Sequence, residues 1–167
     1  EAQHLHWQHP FEQVVEFVGS GPRRRWFPEG KTNLCFNALD RHLTLRADRC
    51  AIIHRDFCGE THPLSYRELW QQVNALSSLM AEWGIRQGDR VLIALPMTPL
   101  AAVAMLACER LGAIHVVVYS SITSEALAQR IQACTPALIL HHSDSRGRES
   151  LPTIPSTAEN MRVVDTA

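Results

Sequence analysis

The chain has 167 residues, 46% of them hydrophobic and 20% charged, with 16 Lys and Arg set against 17 Asp and Glu. That length suits one domain with a buried core, and a net charge of −1 argues against a nucleic-acid or membrane-surface binder. The longest apolar run, Leu100 to Cys108, is nine residues, far short of the ~18–20 that span a bilayer, and no charged-then-apolar leader follows Glu1.

Residues 1–32 read as an irregular, packed arm, aromatic and interrupted by Pro and Gly, with three arginines at 23–25. Residues 33–167 read as an incomplete α/β unit. Asn33 suits the cap of a short helix carrying Leu34, Ala38 and Leu39 inward. Residues 51–57 form a strand, Cys58-Gly59-Glu60 a turn, and a return strand ends near Leu64. Ser65-Tyr66-Arg67-Glu68 fits a capping box. Leu69, Val73, Leu76, Met80 and Trp83 then recur at helical spacing until Gly84. Val91 to Leu95 is a strand covered on both faces, and Pro96 ends it. Thr98-Pro99 opens an alanine-rich helix that Gly112 closes.

Ile114 to Val118 is expected to be a second buried strand. A helix from about Ser124 to Cys134 follows, with Leu127 and Ile131 inward, then a strand from Ala137 to Leu140. This alternation predicts an α/β fold: a parallel β-α-β-α-β sheet with flanking helices, preceded by the arm and a short β-hairpin. Met161 to Val164 opens a further strand, and the carboxyl end looks cut.

Ligands of open parallel sheets bind beyond the carboxyl ends of the strands. The loops there are Pro96-Met97-Thr98, Tyr119 to Thr123, and His142 to Leu151. Tyr119, Ser120 and Ser121 offer an aromatic face, hydroxyls and amides before a helix, suited to a phosphate or carboxylate; plain helix capping by Thr123 or Ser124 is the alternative. Arg146, Gly147 and Arg148 place two guanidinium groups around a glycine, suited to phosphate. They would lie beside the serines if their strands are neighbours, and a solvated loop is the alternative there.

The five cysteines, at 35, 50, 58, 108 and 134, contain no C-x-x-C pair and read as buried, reduced thiols. His4, His6 and His9, and the pair His141-His142, lack a carboxylate or thiolate placed to complete a metal site. His115 is expected as a hydrogen-bonded core residue, and Asp40-Arg41 and Asp89-Arg90 as local salt bridges or caps. There is no phosphate-binding G-x-x-x-x-G-K-[ST], no G-x-G-x-x-G and no G-x-S-x-G motif. The only lysine is Lys31. No adenylyl- or phosphoryl-transfer centre can be assembled from these residues.

An ordered series of segments resembles the amino-terminal portion of the AMP-forming acetyl-CoA and propionyl-CoA synthetases. It comprises Trp26, Phe27, Gly30, Asn33, Leu34, Asn37 and Asp40 to His42; then Leu64 to Tyr66 with Glu68 and Leu69; then Gly84, Ile85 and Gly88 to Val91; then Leu95 to Met97. Ala104 to His115 follows with one gap, and Glu125, Ala126, Arg130 and Ile131 complete it. The stretch Glu29 to Cys35 leans mildly toward the propionyl branch.

The resemblance implies a ligase that joins acetate or propionate to ATP with magnesium, releases pyrophosphate, and passes the acyl group to coenzyme A as AMP leaves. It also implies that the ATP and magnesium sites and the catalytic lysine lie in the rest of the synthetase chain, so that this chain is inactive alone. No catalytic residue is carried onto it. Coenzyme A is implied at an altered site built from Tyr119, Ser120, Ser121, Arg146, Gly147, Arg148 and Leu151. In the family, Gly-Gly-Phe follows the aromatic residue where Ser120, Ser121 and Ile122 stand here, and Glu149 occupies a basic position. Self-association through an exposed sheet edge is expected, as is a cytoplasmic location, or the mitochondrial matrix in a eukaryote. The alternatives are a diverged, non-catalytic module of the same fold that binds a partner protein or nucleotide, and a self-standing α/β binding protein.

Overall fold

The structure, a computed structural model, describes residues 4–119, 122–142 and 162–166. Its arm is more regular than expected, because Val15–Phe17 (β1) and Arg24–Trp26 (β2) pair antiparallel. Behind them Trp7, Phe11 and Phe27 form an aromatic triad with ring centroids 4.8–5.5 Å apart. Gly30 closes this triad, since a Cβ there would stand 2.7 Å from the Trp7 ring and 3.0 Å from the Phe27 carbonyl oxygen. Only glycine fits so near a backbone and a ring.

Helix α1 (Leu34–Ala38) is capped by Asn33, whose side chain accepts the Phe36 amide. A 3-10 turn (Asp40–His42) and the short α2 (Leu43–Arg46) lead into the hairpin of β3 (Cys50–Arg55) and β4 (Thr61–Ser65). The capping box at Ser65 is complete: its hydroxyl accepts the Glu68 amide, and the Glu68 carboxylate accepts the Ser65 amide at 2.8 Å. Helix α3 (Tyr66–Glu82) follows, burying Leu69, Val73 and Met80.

The main sheet contains β5 (Arg90–Ala94), β6 (Ile114–Val117), β7 (Leu138–His141) and β8 (Arg162–Asp165), all parallel, in the order β6-β5-β7-β8. Helices α4 (Pro99–Leu111) and α5 (Ser124–Cys134) make the crossovers. On one face Val91, Ile93, Leu138 and Leu140 pack with Met80 of α3 and Ala101, Ala104 and Ala107 of α4. On the other, Leu92 and Ile139 pack with Leu127 and Ile131 of α5. Alternate residues of β5 and β7 thus feed two cores, which is why both strands read as unbroken apolar runs. Gly112 ends α4 with φ +71°.

The structure corrects five expectations. On α1, Leu34 and Ala38 are exposed, and Cys35, Asn37 and the following Leu39 are the buried residues, because so short a helix turns a different face to α4. Strand β6 is an edge, not buried: Ile114 and Val117 are 54% and 47% exposed. An apolar run marks a strand with β propensity, while burial depends on what lies beside it. His115 is accordingly half-exposed and faces the Glu109 carboxylate at 3.5 Å. Cys50 and Cys58 are exposed thiols, unlike the buried Cys35 and Cys108. The local pairs Asp40-Arg41 and Asp89-Arg90 do not form: Asp40 binds Arg110 at 2.6 Å, and Asp89 accepts the Arg86 amide at 2.7 Å.

Candidate functional site

The strand order decides which loops can share a ligand. From β5 the chain crosses by α4 to β6 on one side; from β7 it proceeds to β8 on the other. Adjacent strands whose connections depart in opposite directions leave a crevice between their carboxyl ends, the usual ligand position of doubly wound sheets. Here that crevice lies between β5 and β7. One wall is Pro96-Met97-Thr98, with Met97 90% exposed. The other begins at His141, beside Ala94 in register, and the exposed His142.

Thr98 stands at the cap position of α4 without capping it. Its hydroxyl makes no bond to the helix amides and only a long one, 3.5 Å, to the Pro96 carbonyl oxygen. Pro99 at the first helical position has no amide to satisfy, which lessens the need for a side-chain cap. At α5 the contrast is plain, since the Thr123 hydroxyl accepts the Ala126 amide at 3.3 Å.

Tyr119 follows β6 and is 85% exposed, with its carbonyl accepting the Ile122 amide at 3.1 Å. Ser120, Ser121, Arg146, Gly147, Arg148 and Leu151 lie outside the described residues. The premise that the two loops follow neighbouring strands is corrected: β5 lies between β6 and β7. Their strands are therefore two spacings apart, roughly 10 Å, a span suited to a long ligand rather than to one phosphate held by both. The described rim residues include no Lys or Arg. The polar groups of the described rim are backbone amides, hydroxyls and the imidazoles of His141 and His142. Met97 and Thr98 were legible as a loop, but their place at the crevice appears only with the strand order.

A second polar group ties the frame together. Arg110 on α4 donates to Asp40 at 2.6 Å, to the Cys35 sulfur at 3.3 and 3.4 Å, and to Asn74 on α3. The Trp70 indole N–H donates to the other Asp40 oxygen at 3.0 Å. The Cys35 thiol also donates to Asp40 Oδ2 at 3.9 Å; burial pushes this thiol up, opposed by the Arg110 hydrogen bond, which disfavours the thiolate. Asn33 donates to the carbonyls of Glu109 and Arg110 at 3.0 and 3.3 Å. Asn37 accepts the His6 amide at 2.7 Å and Arg41 at 2.9 Å. The network welds the arm, α1, α3 and α4.

Comparison with known proteins adds the following. Residues 39–166 match the sequence profile of the AMP-binding enzyme family, and residues 1–38 match that of the acetyl-coenzyme A synthetase N-terminus. The acetyl-coenzyme A synthetase of Laribacter hongkongensis is 40% identical over 163 residues, covering 96% of this chain and 24% of that protein. The propionate–CoA ligase of Escherichia coli is 38% identical over 154 residues, covering 91% of this chain and 24% of the ligase. Among solved structures, acetoacetyl-CoA synthetase from Streptomyces lividans superposes with a TM-score of 0.77 at 28% identity, over 83% of this chain and 21% of that one. The chain thus spans about a quarter of the length of the curated relatives it matches. No helix among the described residues is long and apolar enough to cross a membrane.

Proposed function

This chain belongs to the AMP-binding enzyme family, and on that premise we propose that it is the amino-terminal portion of a short-chain acyl-CoA synthetase. The parent enzyme would convert acetate or propionate, ATP and coenzyme A into acyl-CoA, AMP and pyrophosphate. The observation that carries this reading is the uninterrupted match of both profiles, in order, from residue 1 to residue 166.

In this reading residues 1–32 are a buttressing arm and residues 33–167 an incomplete part of the large synthetase domain. The chain supplies scaffold and one rim of the coenzyme A site. Tyr119, Ser120 and Ser121 form one side of that rim, and Arg146, Gly147, Arg148 and Leu151 the other. The roughly 10 Å between the strands that launch them suits a ligand as extended as coenzyme A, whose pantetheine and nucleotide ends need separate supports. ATP and magnesium are bound by the rest of the synthetase chain, and adenylation takes place there.

The test has two arms. The purified 167-residue chain should show no acetate- or propionate-dependent exchange of pyrophosphate into ATP; turnover by the chain alone overturns the reading. Joined to the part of the Escherichia coli propionate–CoA ligase beyond its matching segment, it should restore thioester formation. A folded chimera that forms no acyl-adenylate would count equally against it. For the rim, Tyr119→Ala and Arg146→Ala in the chimera should raise the KM for coenzyme A and leave adenylate formation unchanged.

A further inference from the structure

The β3–β4 hairpin carries metal-ligating side chains that play no part in the sheet crevice. In its antiparallel register His54 stands opposite His62, and beyond that pair the Asp56 amide donates to the Glu60 carbonyl at 3.0 Å. Directly opposed residues share a face, as do residues two apart on one strand. His54 and Asp56 from one arm therefore meet Glu60 and His62 from the other as two imidazoles and two carboxylates.

Three of the four side chains already converge, and the fourth, His54, stands beside them. The His54 and His62 rings stack with centroids 6.1 Å apart. Asp56 Oδ1 is held by the amides of Cys58 and Glu60, each at 2.9 Å, which directs Oδ2 to His62 Nε2, also at 2.9 Å. One ligand atom from each of Asp56, Glu60 and His62 lies within 4.8 Å of the other two. Two ligands about 2.0–2.1 Å from a tetrahedral zinc ion stand roughly 3.3 Å apart, so the Asp56–His62 pair needs to open by only a few tenths of an ångström. The one arginine between them in sequence, Arg55, is occupied with the Gly59 carbonyl at 3.2 Å.

We propose that Asp56, Glu60 and His62, joined by the His54 ring once it turns toward them, bind a divalent transition-metal ion, zinc foremost, that clips the hairpin. Two imidazoles beside two carboxylates favour zinc over magnesium or calcium, which take all-oxygen shells. The ion would close the nine residues from His54 to His62, within a hairpin whose last residue, Ser65, caps α3. It would bind the folded chain and not the unfolded one, and so raise the melting temperature.

The experiment is zinc titration of the full chain against a chromophoric chelator, in a His4→Gln/His9→Gln background that leaves His6 as the one terminal imidazole. One zinc per chain is expected, with the imidazole NMR signals of His54 and His62 shifting and those of His141 and His142 unmoved. His62→Ala should weaken binding about tenfold or more. Asp56→Asn keeps an oxygen for the two turn amides, so its fold survives, and it should weaken binding by a similar factor. Affinity unchanged in both variants overturns the proposal, as does the absence of zinc binding at about 1 mM.

Discussion

Two carboxylates, Asp40 and Asp56, each hold a cation or imidazole within 3 Å, yet they do opposite things. Asp40 meets Arg110 across 70 positions of sequence, with side chains only 24% and 21% exposed. Asp56 meets His62 across six positions at the open tip of a hairpin. The first pair fastens four helical segments; the second is a local device that solvent and ions can reach. Burial and sequence separation, not residue type, decide which one carries stability and which is free for ligands.

The largest expected effect breaks the buried member. Arg110→Ala should cost about 3 kcal/mol, because Asp40 and Asn74 lose their donor in a half-buried setting. Denaturant unfolding of Arg110→Ala, Asp40→Ala and the double variant checks this: the double should cost clearly less than the sum, and additive losses would show no coupling. The thiols sharpen the same contrast. Cys50 and Cys58 should react with a disulfide reagent in the native chain. Cys108, whose thiol burial pushes up to about 12, and the buried Cys35 should react only on unfolding. Rapid labelling of all five without denaturant would contradict the buried assignment.

A smaller effect belongs to the local cap. Ser65→Ala should cost about 1 kcal/mol, read as a lowered melting temperature. The Ser65 hydroxyl and amide bonds hold the Glu68 carboxyl below its ordinary value of 4.5. Its contribution is therefore full above that ordinary value and disappears as pH falls through the lower folded one. The stability gap between the chain and Glu68→Gln should close on acidification from pH 7 toward pH 3; a gap that widens would reverse the sign. The mildest test concerns the β6 edge. We expect the isolated chain to self-associate through it, and Val117→Lys, which places a charge on that edge, to shift sedimentation toward monomer.

The caps at Asn33, Ser65 and Gly112 could be read from a few neighbouring letters, because capping is satisfied within one turn of helix. Helix α3 could be read from its stripe for the same reason. The Asp40–Arg110 contact could not, since nothing local distinguishes Asp40 from a partner of Arg41. The hairpin cluster was also missed, although alternate positions from His54 to His62 hold His, Asp, Cys, Glu and His; only the register shows which of them face one another. At the sheet rim Tyr119 was legible as a candidate ligand residue, whereas Met97 and Thr98 were legible only as members of a rim loop, with no residue among them singled out.

By itself, then, the order of residues determined α1, α3, α4 and α5, their ends, the parallel β-α-β-α-β character and the family resemblance, all of which rest on contacts or patterns within a few turns of chain. Only the tertiary structure decided that β5 lies between β6 and β7, that β6 is an edge, and that the crevice opens beside Met97. Strands are placed by side chains packing across the sheet from helices tens of residues away, and no local pattern records which neighbour a strand will take.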